Sequence, residues 1–160
     1  MRKEGKVIIK FKKEKEAIEP GYAHDGDAGL DLYSNESLVL KPMHRTAIKT
    51  GIYLEIPKRC VGLIWDKSGL ALKYGVKVIG GVVDSSYRGE VKVVIVNLSS
   101  KNLKIEKGMK VAQMLIQKVE SVKLNNVKKI NETKRGEKSF GSTGLKKEDD
   151  IKKIKEEIIS

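Results

Sequence analysis

The apolar residues of this chain arrive in short runs rich in β-branched side chains, each closed by a turn former, and runs that short can build strands but not a core of long helices. The runs are Val7 to Phe11, Leu38 to Leu40, Thr46 to Lys49, Ile52 to Ile56, Val61 to Trp65, Val91 to Leu98 and Val111 to Val119. Between them stand Asn35, Pro42, Pro57, the Gly80–Gly81 pair, Asp84 to Ser86, the Ser99–Ser100 pair and Lys107 with Gly108, residues suited to tight turns. The pattern predicts an all-β domain. Its strongest strand, EVKVVIVN, puts Val91, Val93 and Ile95 on one face and Val94 and Val96 on the other. Apolar residues on both faces predict a strand inside a sandwich or at a subunit interface. One short helix is expected at SGLALKYG, with Ser68 as its cap.

A chain of 160 residues is accommodated by one core. No apolar run approaches the roughly 20 residues of a membrane span, and Val7 to Ile9 is too short for the core of a secretory signal. Cys60 is the single cysteine, so no intrachain disulfide or cysteine metal cluster can form. A cytoplasmic location and a small core residue at position 60 are the expectations. The net charge of +12 asks for an anionic partner, which a nucleic acid and a nucleoside triphosphate both satisfy. The lysines are spread along the chain and not concentrated in one block, and aromatic residues make up only 5%, so stacking platforms are scarce and no nucleic-acid partner is expected. Beyond Val127 the apolar alternation fades. The expected organisation is a β-domain over 1–130, a mobile arm over 131–144 and a charged tail over 145–160, helical or disordered.

Five stretches carry candidate chemistry, and each alone has a plain structural reading. DAGLDL, with Asp27 and Asp31, reads as a turn. Asp25, Asp27, Asp31 and Glu36 mimic part of a calcium loop, but Leu30 stands where that loop needs glycine. KSGLA, from Lys67, brings an ammonium, a hydroxyl and a close-approach glycine, which can cradle phosphate or simply start a helix. GVVDSSYRGE sets Asp84 and Tyr87 in a turn. KGMKVAQMLI puts Gln113 on what reads as an amphipathic edge strand. RGEKSFGSTG offers Arg135, Phe140 and backbone amides to a nucleotide, or is a solvated tail. It is not a Walker A loop, since Ser142 follows Gly141 where lysine is required.

Taken together and in this order, the five stretches resemble the five motifs of the trimeric dUTP diphosphatase family, over roughly Lys6 to Gly144. The resemblance implies a jelly-roll-like β-fold and a homotrimer whose sites each draw on three chains. It implies hydrolysis of dUTP to dUMP and pyrophosphate with Mg²⁺, Asp84 activating the attacking water. Asp31 would meet the substrate-bound Mg²⁺ through water, and Lys67, Ser68, Gly69 and Gln113 would contact phosphates. The hairpin from Val78 to Lys92 would bind uracil through its backbone, with Gly81, Val82 and Asp84 nearest. Tyr87 would pack beneath the deoxyribose and exclude a 2′-hydroxyl. Arg135, Phe140, Gly141, Ser142 and Thr143 would form the arm that closes over a neighbouring subunit's nucleotide. His24 and His44 fall in no motif and are expected at the surface or in packing.

The chain departs from the family pattern at several positions. Lys67 and Lys110 replace arginines, Val78 replaces an asparagine seen in many relatives, and Lys138 with Ser139 stand where glycines are common. Two other readings compete. The related dCTP deaminases need a glutamate about where Val94 lies and an arginine about where Leu72 lies, and a valine cannot shuttle protons. The same scaffold could also serve as a nucleotide-sensing module with weak or lost catalysis.

Overall fold

The computed structural model describes residues 7–137. The chain divides into two compact units, Met1–Val122 and Lys123–Ser160. All the strands and the one helix among the described residues lie in the first unit. In chain order they are β1 (Lys10–Lys13), β2 (Leu30–Tyr33), β3 (Leu38–Leu40), β4 (Arg45–Glu55), β5 (Cys60–Trp65), α1 (Ser68–Tyr74), β6 (Val76–Val78), β7 (Val82–Val83), β8 (Glu90–Asn97), β9 (Leu103–Ile105) and β10 (Lys110–Lys118). One four-stranded sheet has the order β1-β4-β8-β6, a second has β2-β10-β5-β7, and β3 pairs with β9. Every named strand pairing is antiparallel. A single apolar cluster joins the sheets: Ile48, Val91, Val93 and Ile95 from the first, Leu32, Ile64, Ala112 and Met114 from the second, and Ile105 from β9. The expected all-β architecture is observed. No helix among the described residues is long and apolar enough to cross a membrane.

β8 is an interior strand, and its residues alternate as the sequence predicts. Val91, Val93 and Ile95 are buried, while Val94 and Val96 on the opposite face are half-buried. At its end the fully buried Asn97 is satisfied on both sides of its amide. Its Nδ2 donates to the carbonyls of Leu40 (3.0 Å) and Lys101 (2.8 Å), and its Oδ1 accepts from the Ser99 N–H (3.0 Å) and Oγ (2.8 Å). A buried amide so bonded fixes the corner between β8 and β9. Cys60 is buried, as expected.

Several elements differ from the sequence expectation. The runs Thr46 to Lys49 and Ile52 to Ile56 belong to one strand, β4, which carries two extra residues relative to β8 between Lys49 and Tyr53. An even insertion preserves the side-chain parity, so Ile48 and Ile52 are both buried. Side chains take over from ladder bonds at the bulge. Thr50 Oγ1 donates to the Val91 carbonyl (2.5 Å), the Ile52 N–H donates to Thr50 Oγ1 (3.2 Å), and the Gly51 N–H donates to Glu90 Oε1 (2.9 Å). Gly51 has φ +67° there, and a Cβ would lie 2.8 Å from Ala17 Cβ, so Thr-Gly marks a bulge and not a turn. The first strand begins at Lys10, later than expected, and Ser68 is the first helical residue while Lys67 holds the cap position without a side-chain bond to the helix's own N–H groups. The strands β2, β6, β7 and β9 have four residues or fewer. Pieces so short carry too little alternation to stand out, and their partners define them.

Candidate active site

β10 lies between β2 and β5, so KGMKVAQMLI forms an interior strand, not an edge. Register then sets Gln113 opposite Asp31 on one side and Trp65 on the other. Gly29 permits this close approach, since a Cβ there would fall 2.8 Å from Gln113 Oε1. DAGLDL is correspondingly a strand at its end. Asp31 sits in β2, almost wholly buried, with Lys67 Nζ 2.6 Å from Oδ1 and Lys110 Nζ 2.7 Å from Oδ2. Burial alone would raise the Asp31 pKa, but the two ammoniums outweigh it and hold the carboxyl below the usual aspartate range. Lys110 is correspondingly raised, chiefly by its bond to Asp31.

Asp66, which the motif reading passed over, joins this group to the hairpin that follows. Its Oδ1 accepts the Val78 N–H (2.5 Å), its Oδ2 accepts from Lys77 Nζ (2.5 Å), and its backbone carbonyl accepts from Gln113 Nε2 (2.9 Å). Val78 itself is buried in the core. Ser68 and Gly69 begin α1 and are exposed.

The hairpin from Val78 to Lys92 is fastened to both sheets, through β6 against β8 and β7 against β5. At Gly81 the backbone runs against β5. The Ile64 N–H donates to the Gly81 carbonyl (2.7 Å), and a Cβ on Gly81 would lie 2.4 Å from the Ile64 carbonyl oxygen. At the tip the Tyr87 N–H donates to the Asp84 carbonyl (3.1 Å) and closes the turn. Arg88 Nη1 donates to the carbonyls of Ser85 (2.7 Å) and Tyr87 (2.8 Å), and Tyr87 Oη donates to the Glu90 carbonyl (3.0 Å). Gly89 lets the ring lie this close, because a Cβ would be 2.3 Å from Tyr87 Oη and would push the ring aside. Tyr87, so held, borders a cavity of about 190 Å³ that is also lined by Gly80, Val82, Asp84, Glu90 and Lys92, among others.

Within the first unit the residues singled out from sequence therefore form two groups. Asp84, Tyr87, Val82 and Lys92 line the hairpin cavity, with Gly81 beside it at the β5 contact. Asp31, Lys67 and Gln113 cluster around β2, β10 and the end of β5. Arg135 belongs to the second unit, beside a turn in which the Gly136 N–H donates to the Thr133 carbonyl (3.0 Å). Phe140, Gly141, Ser142 and Thr143 lie outside the described residues, as do Lys138, Ser139 and the tail. His24 and His44 are both exposed. Among the described residues no group of three or more His, Cys, Asp or Glu could hold a metal. Asp31 Oδ2 is a buried oxygen with no aligned hydrogen-bond donor despite its ion pair. A hydrated cation arriving on phosphates needs only one or two carboxylates from the protein, and at Asp31 it would take the place of the Lys67 and Lys110 ammoniums.

The family model described as dUTPase matches residues 15–144, which takes in all five motifs. The chain belongs to the dUTPase family. Curated dUTPase relatives include the deoxyuridine 5'-triphosphate nucleotidohydrolase of Clostridium kluyveri, 48% identical over 132 residues covering 81% of this chain and 92% of that protein. The Clostridium novyi enzyme of the same name is 46% identical over 142 residues, covering 88% and 99%. Among solved structures, a variant of the Staphylococcus bacteriophage 80alpha dUTPase with dUpNHpp superposes with a TM-score of 0.80 at 29% identity, over 88% of this chain and 100% of that one. A dUTPase variant from phage phi11 of S. aureus, described with a coordinated structural Mg(II) ion, shares the fold at a TM-score of 0.73 and 24% identity, over 78% and 99%. The fold is the dUTPase jelly roll.

Proposed function

We propose that this dUTPase-family chain hydrolyses dUTP to dUMP and pyrophosphate, removing a precursor of uracil in DNA and supplying dUMP for dTMP synthesis. The observation that carries the reading is the match of all five motifs to one family, with Asp84 and Tyr87 bordering the same hairpin cavity. In this reading the Asp84 carboxylate orients and partly deprotonates a water for in-line attack on the α-phosphorus, and pyrophosphate leaves. The backbone of Gly81 and Val82 and the fold of the hairpin between Val78 and Lys92 read uracil. Cytosine would leave buried polar groups unpaired there. The Tyr87 ring excludes the 2′-hydroxyl. Lys67, Ser68, Gly69 and Gln113 hold phosphates, and Asp31 contacts Mg²⁺ through water. When bound, the cation supplies charge neutralisation on the triphosphate. Arg135, Phe140, Gly141, Ser142 and Thr143 form an arm, within 131–144, that closes over the nucleotide and excludes bulk water.

The working form is a homotrimer with shared sites, in the cytoplasm. Two observations favour shared sites. The hairpin cavity is not lined by Asp31, Lys67 or Gln113 of the same chain, and Val122, Leu124 and Ile130 are 80%, 91% and 82% exposed, apolar side chains that another subunit would cover. Deamination of dCTP is disfavoured by Val94, which is half-buried opposite Ala47, and by the exposed Leu72. The test is turnover of dUTP, UTP and dCTP by the parent and by Asp84→Asn. The parent should act on dUTP far above the other two, and the variant should lose about 10²- to 10⁴-fold in kcat. Equal rates in parent and variant would remove Asp84 from the mechanism, and deaminated product from dCTP would move the chain to the other branch.

A further inference from the structure

We infer that Asp66 is a positioning residue for nucleotide recognition, the anchor that holds the base-reading hairpin in register with the phosphate-side strand. The inference rests on the proposed dUTP reading of both groups of residues. Asp66 stands just after β5 and just before Lys67, Ser68 and Gly69. Three polar contacts leave it toward two other elements. Its carboxylate takes the Val78 N–H at 2.5 Å and the Lys77 ammonium at 2.5 Å, both on β6, and its carbonyl takes the Gln113 amide at 2.9 Å on β10. β6 belongs to one sheet and β10 to the other, so one residue links the two sheets at the point where the hairpin leaves β6.

The contacts differ in weight. A backbone N–H given to a carboxylate is a charge-assisted bond that fixes the chain itself, whereas the Lys77 partner is 49% exposed at its side chain and adds little by pairing. Val78 explains why the anchor is needed. Its side chain is buried among Val76, Ile95 and the rest of the core, so position 78 gives the hairpin no polar side chain. Asp66 supplies the side-chain anchor at this end, beside the backbone pairing of β6 with β8 and the bond from the Ile79 N–H to the Val94 carbonyl (2.9 Å). A second consequence concerns Gln113. Its amide is directed by the Asp66 carbonyl and not by a side chain, so replacing the Asp66 side chain acts first on the hairpin and only indirectly on Gln113.

The experiment uses the full chain in its native assembly and compares Asp66→Ala, Asp66→Asn and Lys77→Met with the parent. Readouts are KM and kcat for dUTP, the dissociation constant of dUMP, the preference for dUTP over dCTP, and the melting temperature. Asp66→Ala should raise KM and weaken dUMP binding together by about tenfold and reduce the preference for dUTP, because the base-reading backbone is released. Asp66→Asn keeps an acceptor for the Val78 N–H and should stay within about threefold of the parent, and Lys77→Met should match it. The role is overturned if Asp66→Ala lowers only the melting temperature and leaves KM, dUMP binding and base preference unchanged, or if Lys77→Met reproduces the Asp66→Ala defect. A parent that hydrolyses no dUTP overturns the functional reading and this role with it. A parent that turns over dUTP beside an unaffected Asp66→Ala overturns the role alone.

Discussion

Asp31 illustrates how far one residue's chemistry is set by its neighbours. By sequence it is an acidic residue in a short glycine-bearing stretch, two places after Gly29, yet it is 2% exposed and clamped between Lys67 and Lys110 at 2.6 and 2.7 Å. A buried carboxylate without such partners would be strongly disfavoured. Its depressed pKa has a defined sign in stability. The pair contributes fully above the unfolded aspartate value of about 3.9 and is lost as pH falls from there through the lower folded value. On the alkaline side the raised pKa of Lys110 delays loss of the pair until pH passes above the ordinary lysine value of about 10.4. We predict that Asp31→Asn is less stable than the parent at pH 7 and that the gap narrows as pH falls below the unfolded aspartate value toward pH 3, because the unfolded carboxyl takes up its proton before the folded one. Urea unfolding at both values measures this. A gap of constant size would show that packing, not charge, dominates the site.

At the scale of elements, the hairpin from Val78 to Lys92 depends on backbone contacts that leave no room for side chains. Gly81 is the tightest case against the main chain, with a Cβ 2.4 Å from the Ile64 oxygen. The obstacle is backbone within a paired strand, so relief requires β5 and β7 to separate. Gly81→Ala should cost about 1–3 kcal/mol, the usual range for overpacking, and should depress dUTP turnover by displacing the cavity wall. Denaturant melts and steady-state kinetics on the same preparation report both. A variant with parental stability would mean that the strands can part freely. The β4 bulge makes the related point that local sequence misleads when side chains replace ladder bonds. Thr50 and Gly51 look like a break between two strands, but Glu90 and Val91, far along the chain, accept their hydrogen bonds.

For the whole molecule, the charge of +12 attracts a polyphosphate without specifying one, and the two compact units assign the motifs unequally. Four motifs lie in the first unit, and the Arg135 motif lies in the second. Removing residues 131–160 is therefore expected to leave the thermal unfolding of the β-domain nearly unchanged while lowering kcat/KM for dUTP at least tenfold, through loss of closure. Calorimetry paired with kinetics tests this, and undiminished turnover by the shortened chain would exclude the arm from catalysis. Sedimentation of the full chain should give about three times the 17.8 kDa chain mass. A monomer that retains full activity would rule out shared sites.

The sequence by itself determined the all-β class, the interior character of EVKVVIVN, the short helix and the five-motif set, because alternation, turn chemistry and motif order are local or linear properties. Tertiary structure alone decided the rest. The shortest strands exist only through their partners, the interior place of β10 depends on which strands flank it, and the lysine clamp on Asp31 joins residues far apart in the chain. Asp66 was invisible for the same reason. An aspartate after a strand looks like a turn former until register brings the Val78 N–H and the Gln113 amide within hydrogen-bonding distance.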